Sequence, residues 1–140
     1  MIRQQDNTSN HETIKLRGIV ARGLGESKNF TEIPWVKRQF IDRLGINPYP
    51  GTFNIIVAAE DGEKLNALHK VQGIEITPED DNFCTASGLP VLINSRIKGA
   101  AIIPQVADYP PMQLEIISAE NIKQTLSLDD GDRVEIEFYF

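Results

Sequence analysis

Apolar and polar residues alternate in short runs along most of this chain, with turn formers between the runs. Ile14, Leu16, Gly18 and Val20 alternate with Lys15, Arg17, Ile19 and Ala21, the period of a half-buried strand. The same period recurs at Phe53, Ile55 and Val57, at Ile74 and Ile76, at Met112, Leu114 and Ile116, and at Val134, Ile136 and Phe138. Residues 97–103 form a more continuous apolar run that Pro104 closes. Residues 83–86 and 91–93 read as two strands, with Ser87-Gly88-Leu89-Pro90 as their hairpin connection. Helical spacing is rarer. Pro34 opens a helix that Gly45 ends, with Val36, Phe40, Ile41 and Leu44 directed at the core. Residues 61–69 form a shorter helix with Leu65 and Leu68 inward, and Ser118 is placed to cap another that contains Ile122 and Leu126. Many short strands with few helices predict a mainly β fold, a small closed or nearly closed β-barrel with short helices inserted.

Composition narrows what such a barrel does. With 140 residues, 41% hydrophobic and 24% charged, the chain suits one globular domain with a real core. Residues 1–12 are polar and read as a disordered tail, leaving 13–140 as the single domain. The net charge of −6 argues against a nucleic-acid partner, which a basic surface would serve. No apolar run has the length of a membrane span, so no membrane partner is expected, and the polar start lacks a signal-peptide layout. Cys84 is the only cysteine, which fits a reducing, cytoplasmic setting. A monomer is compatible with the chain.

Three stretches carry candidate chemistry. In Pro48-Tyr49-Pro50-Gly51-Thr52-Phe53-Asn54, two prolines and a glycine stiffen and turn the chain into a strand. Thr52 and Asn54 then project from one face while Phe53 and Ile55 face the other, so a hydroxyl and an amide oxygen stand side by side at the mouth of the barrel. Such a pair either holds an oxygen-coordinated cation or hydrogen-bonds its own turn. Gly23-Leu24-Gly25-Glu26-Ser27-Lys28-Asn29 follows the first strand. It is able to present backbone N–H groups and a lysine to phosphate, although it matches neither the P-loop nor the dinucleotide fingerprint. Glu115 lies among isoleucines on a strand, placed either on a wet face or to accept the hydrogen bond or proton of a substrate hydroxyl. Trp35 packs at a helix entrance or stacks at a pocket rim, and His69 and His11 are given no chemistry. Asp129-Asp130-Gly131-Asp132 lacks the ligand pattern of a calcium loop and reads as a turn.

Taken in order, Gly23-Leu24-Gly25-Glu26 with Phe30, the Pro48–Asn54 block with Ile55, Tyr109-Pro110 before Leu114-Glu115-Ile116-Ile117, and Leu128–Asp132 make the chain resemble the CTP-dependent riboflavin kinases of archaeal type. The resemblance spans residues 14–138. It implies a six-stranded riboflavin-kinase, or cradle-loop, barrel that moves the γ-phosphate of CTP to the 5′-hydroxyl of riboflavin, giving FMN and CDP. Carried across by position, it implies that Leu24, Gly25, Glu26, Ser27, Lys28 and Asn29 line the nucleotide together with Glu120, Asn121, Ile122 and Lys123. Thr52 and Asn54 would hold Mg²⁺. Ala107 and Glu115 would meet the flavin, with Glu115 the catalytic candidate. The chain departs from the family pattern at Ser27 (usually glycine), at Ala107 (usually a flavin-contacting threonine), at Ser118-Ala119 (usually Ala-Pro) and across Phe83–Ala86. These departures keep open a non-catalytic flavin- or nucleotide-binding sensor, or a kinase with another acceptor.

Overall fold

The computed structural model describes residues 13–22, 27–107 and 109–139, and the side chains of residues 27–29 lie outside that description. Among the described residues the strands are β1 (Thr13–Ala21), β2 (Phe53–Val57), β3 (Ile74–Ile76), β4 (Ala86–Ile93), β5 (Ile97–Pro104), β6 (Gln113–Ile117) and β7 (Arg133–Tyr139). The helices are α1 (Ser27–Glu32), α2 (Pro34–Leu44), α3 (Gly62–His69) and the single turn α4 (Ile122–Thr125).

All pairings are antiparallel, in the order β3-β4-β5-β6-β2-β1-β7, and a further pairing of β4 with β7 closes six strands into a barrel. β3 stays outside the ring. It pairs with the first half of β4 (Ala86–Gly88), and β7 pairs with the second half (Val91–Ile93). This division corrects the expected hairpin. Ser87–Pro90 lies inside one continuous strand, and the chain reverses at Asn94 and Ser95, both at positive φ. Pro90 falls where β3 has ended and β7 has not begun, the stretch of β4 where a missing N–H is tolerated best.

The period-two pattern sorts residues into two layers. Leu16, Ile55, Ile93, Leu114, Ile116, Ile136 and Phe138 are buried inside the ring, and Leu65 and Leu68 of α3 join that core. α2 lies on the outside. Its Val36 and Phe40 pack on Ile76, Ala86, Ala100, Ile102 and Ile117 of the β3-β4-β5-β6 wall. A Cβ at Gly88 would already touch Leu44 at 3.0 Å, so glycine there admits the helix. Pro34 starts α2 and Gly45 ends it at φ 71°, its N–H on the carbonyls of Ile41 and Phe40, as the sequence suggests. Ile41 does not face the core as expected. It is exposed, because the seam runs through Val36, Phe40 and Leu44, one face away.

Buried Asp61 ties α3 to β1. Its carboxylate accepts the Arg17 N–H at 2.8 Å and sits 3.6 Å from Lys64 Nζ. Asn121, not Ser118, caps α4, accepting the Gln124 N–H, while Ser118 Oγ is turned to the Lys98 carbonyl. The reason is distance along the chain: Asn121 immediately precedes the first helical residue, the position from which a side chain reaches the first free N–H groups.

Candidate active site

β2, β6 and β5 lie side by side, and their register sets one row of side chains across the outer wall. Asn54 is opposite Glu115, which is opposite Ile102. Ala21, the end of β1, is opposite Asn54. Residues paired across strands present their side chains on one face, about 5 Å apart. The site therefore lies on the outside of the barrel and not at its mouth, since Phe53, Ile55, Leu114 and Ile116 take the inside.

Two cavities meet on this wall. The larger, about 560 Å³, is within the range of small-molecule sites. Its floor includes Ala86, Ile102 and Ile117, its polar side Thr52, Asn54, Gln113 and Glu115, and its cover Phe30, Ile33, Phe83 and Tyr109. Phe83 is held by the rings of Phe30 (centroids 5.8 Å apart) and Trp35 (5.5 Å), so Trp35 backs the rim and does not itself line the space. The smaller cavity, about 150 Å³, lies between the Tyr49-Pro50-Gly51 turn and residues 118–123. Thr52 lines both cavities.

The turn that delivers Thr52 is pinned at both ends. Gly51, at φ 96°, gives its N–H to Thr31 Oγ1 at 2.9 Å, and the Tyr49 N–H goes to the Ser118 carbonyl at 2.8 Å. From there the Thr52 hydroxyl lies 3.2 Å from Glu115 Oε1 and 3.4 Å from Asn54 Oδ1. One proton cannot serve both acceptors, and the carboxylate is the stronger. The Asn54 amide group donates to the Thr52 carbonyl at 3.1 Å, which turns its oxygen toward Thr52. That leaves Asn54 Oδ1, on a residue 8% exposed, without a proton of its own, next to a hydroxyl whose lone pairs are free among the described residues. Two oxygens about this far apart suit adjacent positions on a hard cation such as Mg²⁺, which takes oxygen ligands and keeps several waters. The expected pair fits the ion. Among the described residues no group of three or more His, Cys, Asp or Glu side chains is arranged for a metal.

Glu115 is engaged at both ends. Its Oε2 accepts the Tyr109 phenol proton at 2.7 Å, and the Gln113 amide donates to the phenol oxygen at 3.4 Å. Burial, and then the neighbouring carboxylate, push the Tyr109 pKa far above its usual value, so the phenol remains a donor.

Of the other expected residues, Glu120, Asn121, Ile122 and Lys123 all line the smaller cavity beside Thr52. Lys123 Nζ pairs with Asp130 Oδ1 at 2.7 Å, and Arg22 approaches the same carboxylate at 3.8 Å. Ala107 is exposed in the turn after β5, outside the walls of the large cavity. Leu24, Gly25 and Glu26 lie outside the described residues. Ser27, Lys28 and Asn29 open α1, next in the chain to Phe30 on the cavity cover. Sequence reasoning missed two contributors. Tyr109 was visible only as part of a Tyr-Pro pair, and nothing in the sequence around Thr31 signals its bond to Gly51.

Fold and site together define an antiparallel barrel with a cavity of small-molecule size on its outer wall, and a polar cluster where that apolar cavity meets a smaller polar one. The family model CTP-dep_RFKase, described as "Domain of unknown function DUF120", matches residues 20–138, and the chain belongs to this family of CTP-dependent riboflavin kinases. It is 37% identical to a riboflavin kinase of Archaeoglobus fulgidus over 89% of this chain and 54% of that protein. It is also 37% identical to a riboflavin kinase of Sulfurisphaera tokodaii, over 90% of this chain and 96% of that one. A riboflavin kinase of Methanobrevibacter smithii is 30% identical over 89% of this chain and its own full length. The chain thus spans about half the length of the Archaeoglobus protein and of its Methanosarcina counterparts, and nearly all of the other two. Among the described residues no helix is long and apolar enough to cross a membrane.

Proposed function

We propose that this chain transfers the γ-phosphate of CTP to the 5′-hydroxyl of riboflavin, yielding FMN and CDP. The observation that carries the reading is Thr52. It stands on the wall of both cavities and is hydrogen-bonded to Glu115, which among the described residues is the carboxylate that lines the larger. The apolar, aromatic-covered cavity suits the flavin ring, and its polar side meets the ribityl chain. The smaller cavity, with Lys123 at its edge, suits the triphosphate. CTP as the donor follows the family name.

Phosphoryl transfer depends mainly on positioning and charge stabilisation. Thr52 and Asn54 would hold Mg²⁺, which when bound neutralises charge on the triphosphate. Glu115 accepts the hydrogen bond of the attacking hydroxyl, aligns its oxygen with the γ-phosphorus and takes up its proton as the new bond forms. A P–O bond forms there as the bond to the β-phosphate oxygen breaks, and CDP leaves with the electron pair. Phe30 and Phe83 cover the ring. The exposed, unpaired Cys84 accords with a reducing cytoplasm.

The test is incubation with riboflavin, Mg²⁺ and each nucleoside triphosphate in turn, followed by chromatography. FMN formed with CTP is the expected result. Ala107, which brings no hydroxyl to the position of the family's flavin-contacting threonine, favours a second reading, a binding protein without turnover. Riboflavin bound tightly with no FMN under any triphosphate would establish that alternative.

A further inference from the structure

The geometry points to Tyr109 as the positioning residue for Glu115: its phenol fixes one carboxylate oxygen so that the other meets Thr52. The inference deepens the proposed function and rests on it where turnover is concerned. A glutamate on an outer wall has three rotatable bonds and no reason to adopt one orientation unless both oxygens are held. Here both are. Thr52 holds Oε1 at 3.2 Å and Tyr109 holds Oε2 at 2.7 Å, the shorter constraint of the two. The phenol is committed to this bond. Gln113 donates to its oxygen, which directs its one proton to Glu115. The ring lies half-buried against the large cavity. Tyr109 lies within the β5–β6 connection and Glu115 on β6 itself, so the bond ties that connection to the wall beneath it. With the carboxylate fixed, the Thr52 proton has one destination, and its lone pairs and Asn54 Oδ1 remain available together.

The variants are Tyr109→Phe, which removes one oxygen and keeps the ring, and Tyr109→Ala, which removes the wall as well. Riboflavin affinity is read from quenching of flavin fluorescence, and turnover from FMN formed. The expected result for Tyr109→Phe is a riboflavin Kd within about threefold of wild type with kcat lower by about tenfold or more, the scale of a lost hydrogen bond to a charged group. Tyr109→Ala should weaken riboflavin binding in addition. An unchanged kcat in Tyr109→Phe overturns the proposal. So does a loss of kcat no larger than the loss of affinity, which would make Tyr109 a piece of the wall. A second measurement needs no substrate, a thermal-unfolding cycle of Tyr109→Phe, Glu115→Ala and the double variant. Coupled effects are expected and strictly additive ones overturn the proposal. If wild type binds riboflavin without forming FMN, the kinase reading fails, and the cycle still decides the role of Tyr109.

Discussion

Replacing Thr52 with valine removes one hydroxyl and keeps a β-branched side chain on the strand. The folded state loses a hydrogen bond to a carboxylate, a contact in the range of about 1.5–3 kcal/mol when sealed from water. The contact is not sealed. Both partners are partly exposed and open on a cavity of about 560 Å³, so water can take the freed position and the loss falls to about 1 kcal/mol. For a domain of this size that lowers Tm by a few degrees. The rate should respond far more. The same hydroxyl lines both cavities and, on the proposed reading, would supply one of two oxygens for the cation, and removing one such group costs about 10²–10³ in kcat. The measurements are FMN formation at saturating riboflavin and CTP across a series of Mg²⁺ concentrations, with thermal unfolding of the same samples. Thr52→Ser, which restores the hydroxyl, should recover most of the rate. The reasoning is refuted if the valine variant turns over at the wild-type rate with the wild-type Mg²⁺ requirement. It is equally refuted if a loss of rate is fully accounted for by a loss of folded protein.

Gly51→Ala places a side chain at φ 96° and should destabilise the fold by about 1–3 kcal/mol in urea titration, as Gly45→Ala should at φ 71°. Only the first should also lower FMN formation, because only that turn carries Thr52. Phe83→Ala removes a ring held between Phe30 and Trp35 over the large cavity, so riboflavin affinity by fluorescence quenching should weaken about tenfold. Stability against pH should show two separate windows. The Arg17 N–H first, then Lys64 and Arg17, hold the Asp61 carboxyl below its ordinary value of 3.8, so the unfolded chain takes up its proton first. That stabilisation is complete above about 3.8 and is lost as pH falls through the lower, folded value, and Asp61→Asn should narrow its Tm deficit there. His69 is half-buried, its Nε2 sealed from solvent without a hydrogen-bond partner among the described residues, and desolvation lowers its pKa from 6.5. Here too the unfolded state binds the proton first, so stability falls as pH drops below about 6.5, and His69→Leu should flatten that limb.

The strands were legible because one face of each is buried, and burial on one face imposes period two on the sequence. β1, β2, β6 and β7 follow from that pattern, and the ends of α2 from Pro34 and Gly45. β4 was not legible. Gly88 and Pro90 signal a turn locally, but the first makes room for Leu44 and the second lies at a gap in the pairing, and both facts belong to other parts of the chain. The same limit applied to Ile41, whose spacing fits a helix face that the fold leaves uncovered. At the site, Thr52, Asn54 and Glu115 were recognisable as oxygen-bearing residues on strand faces. Their convergence depends on strand register, which pairs Asn54 with Glu115 across 61 positions of sequence. Tyr109 and Thr31 act through single contacts with distant residues, and no local pattern marks such contacts.

Because the ligand wall and the packed interior are opposite faces of the same strands, neighbouring residues answer to separate constraints. Along β6, Leu114 and Ile116 are held to their shapes by the barrel, while Gln113, Glu115 and Ile117 look outward onto the space a guest would fill. A lineage can therefore retune what this surface grips, one alternate codon at a time, and leave the scaffold beneath it intact.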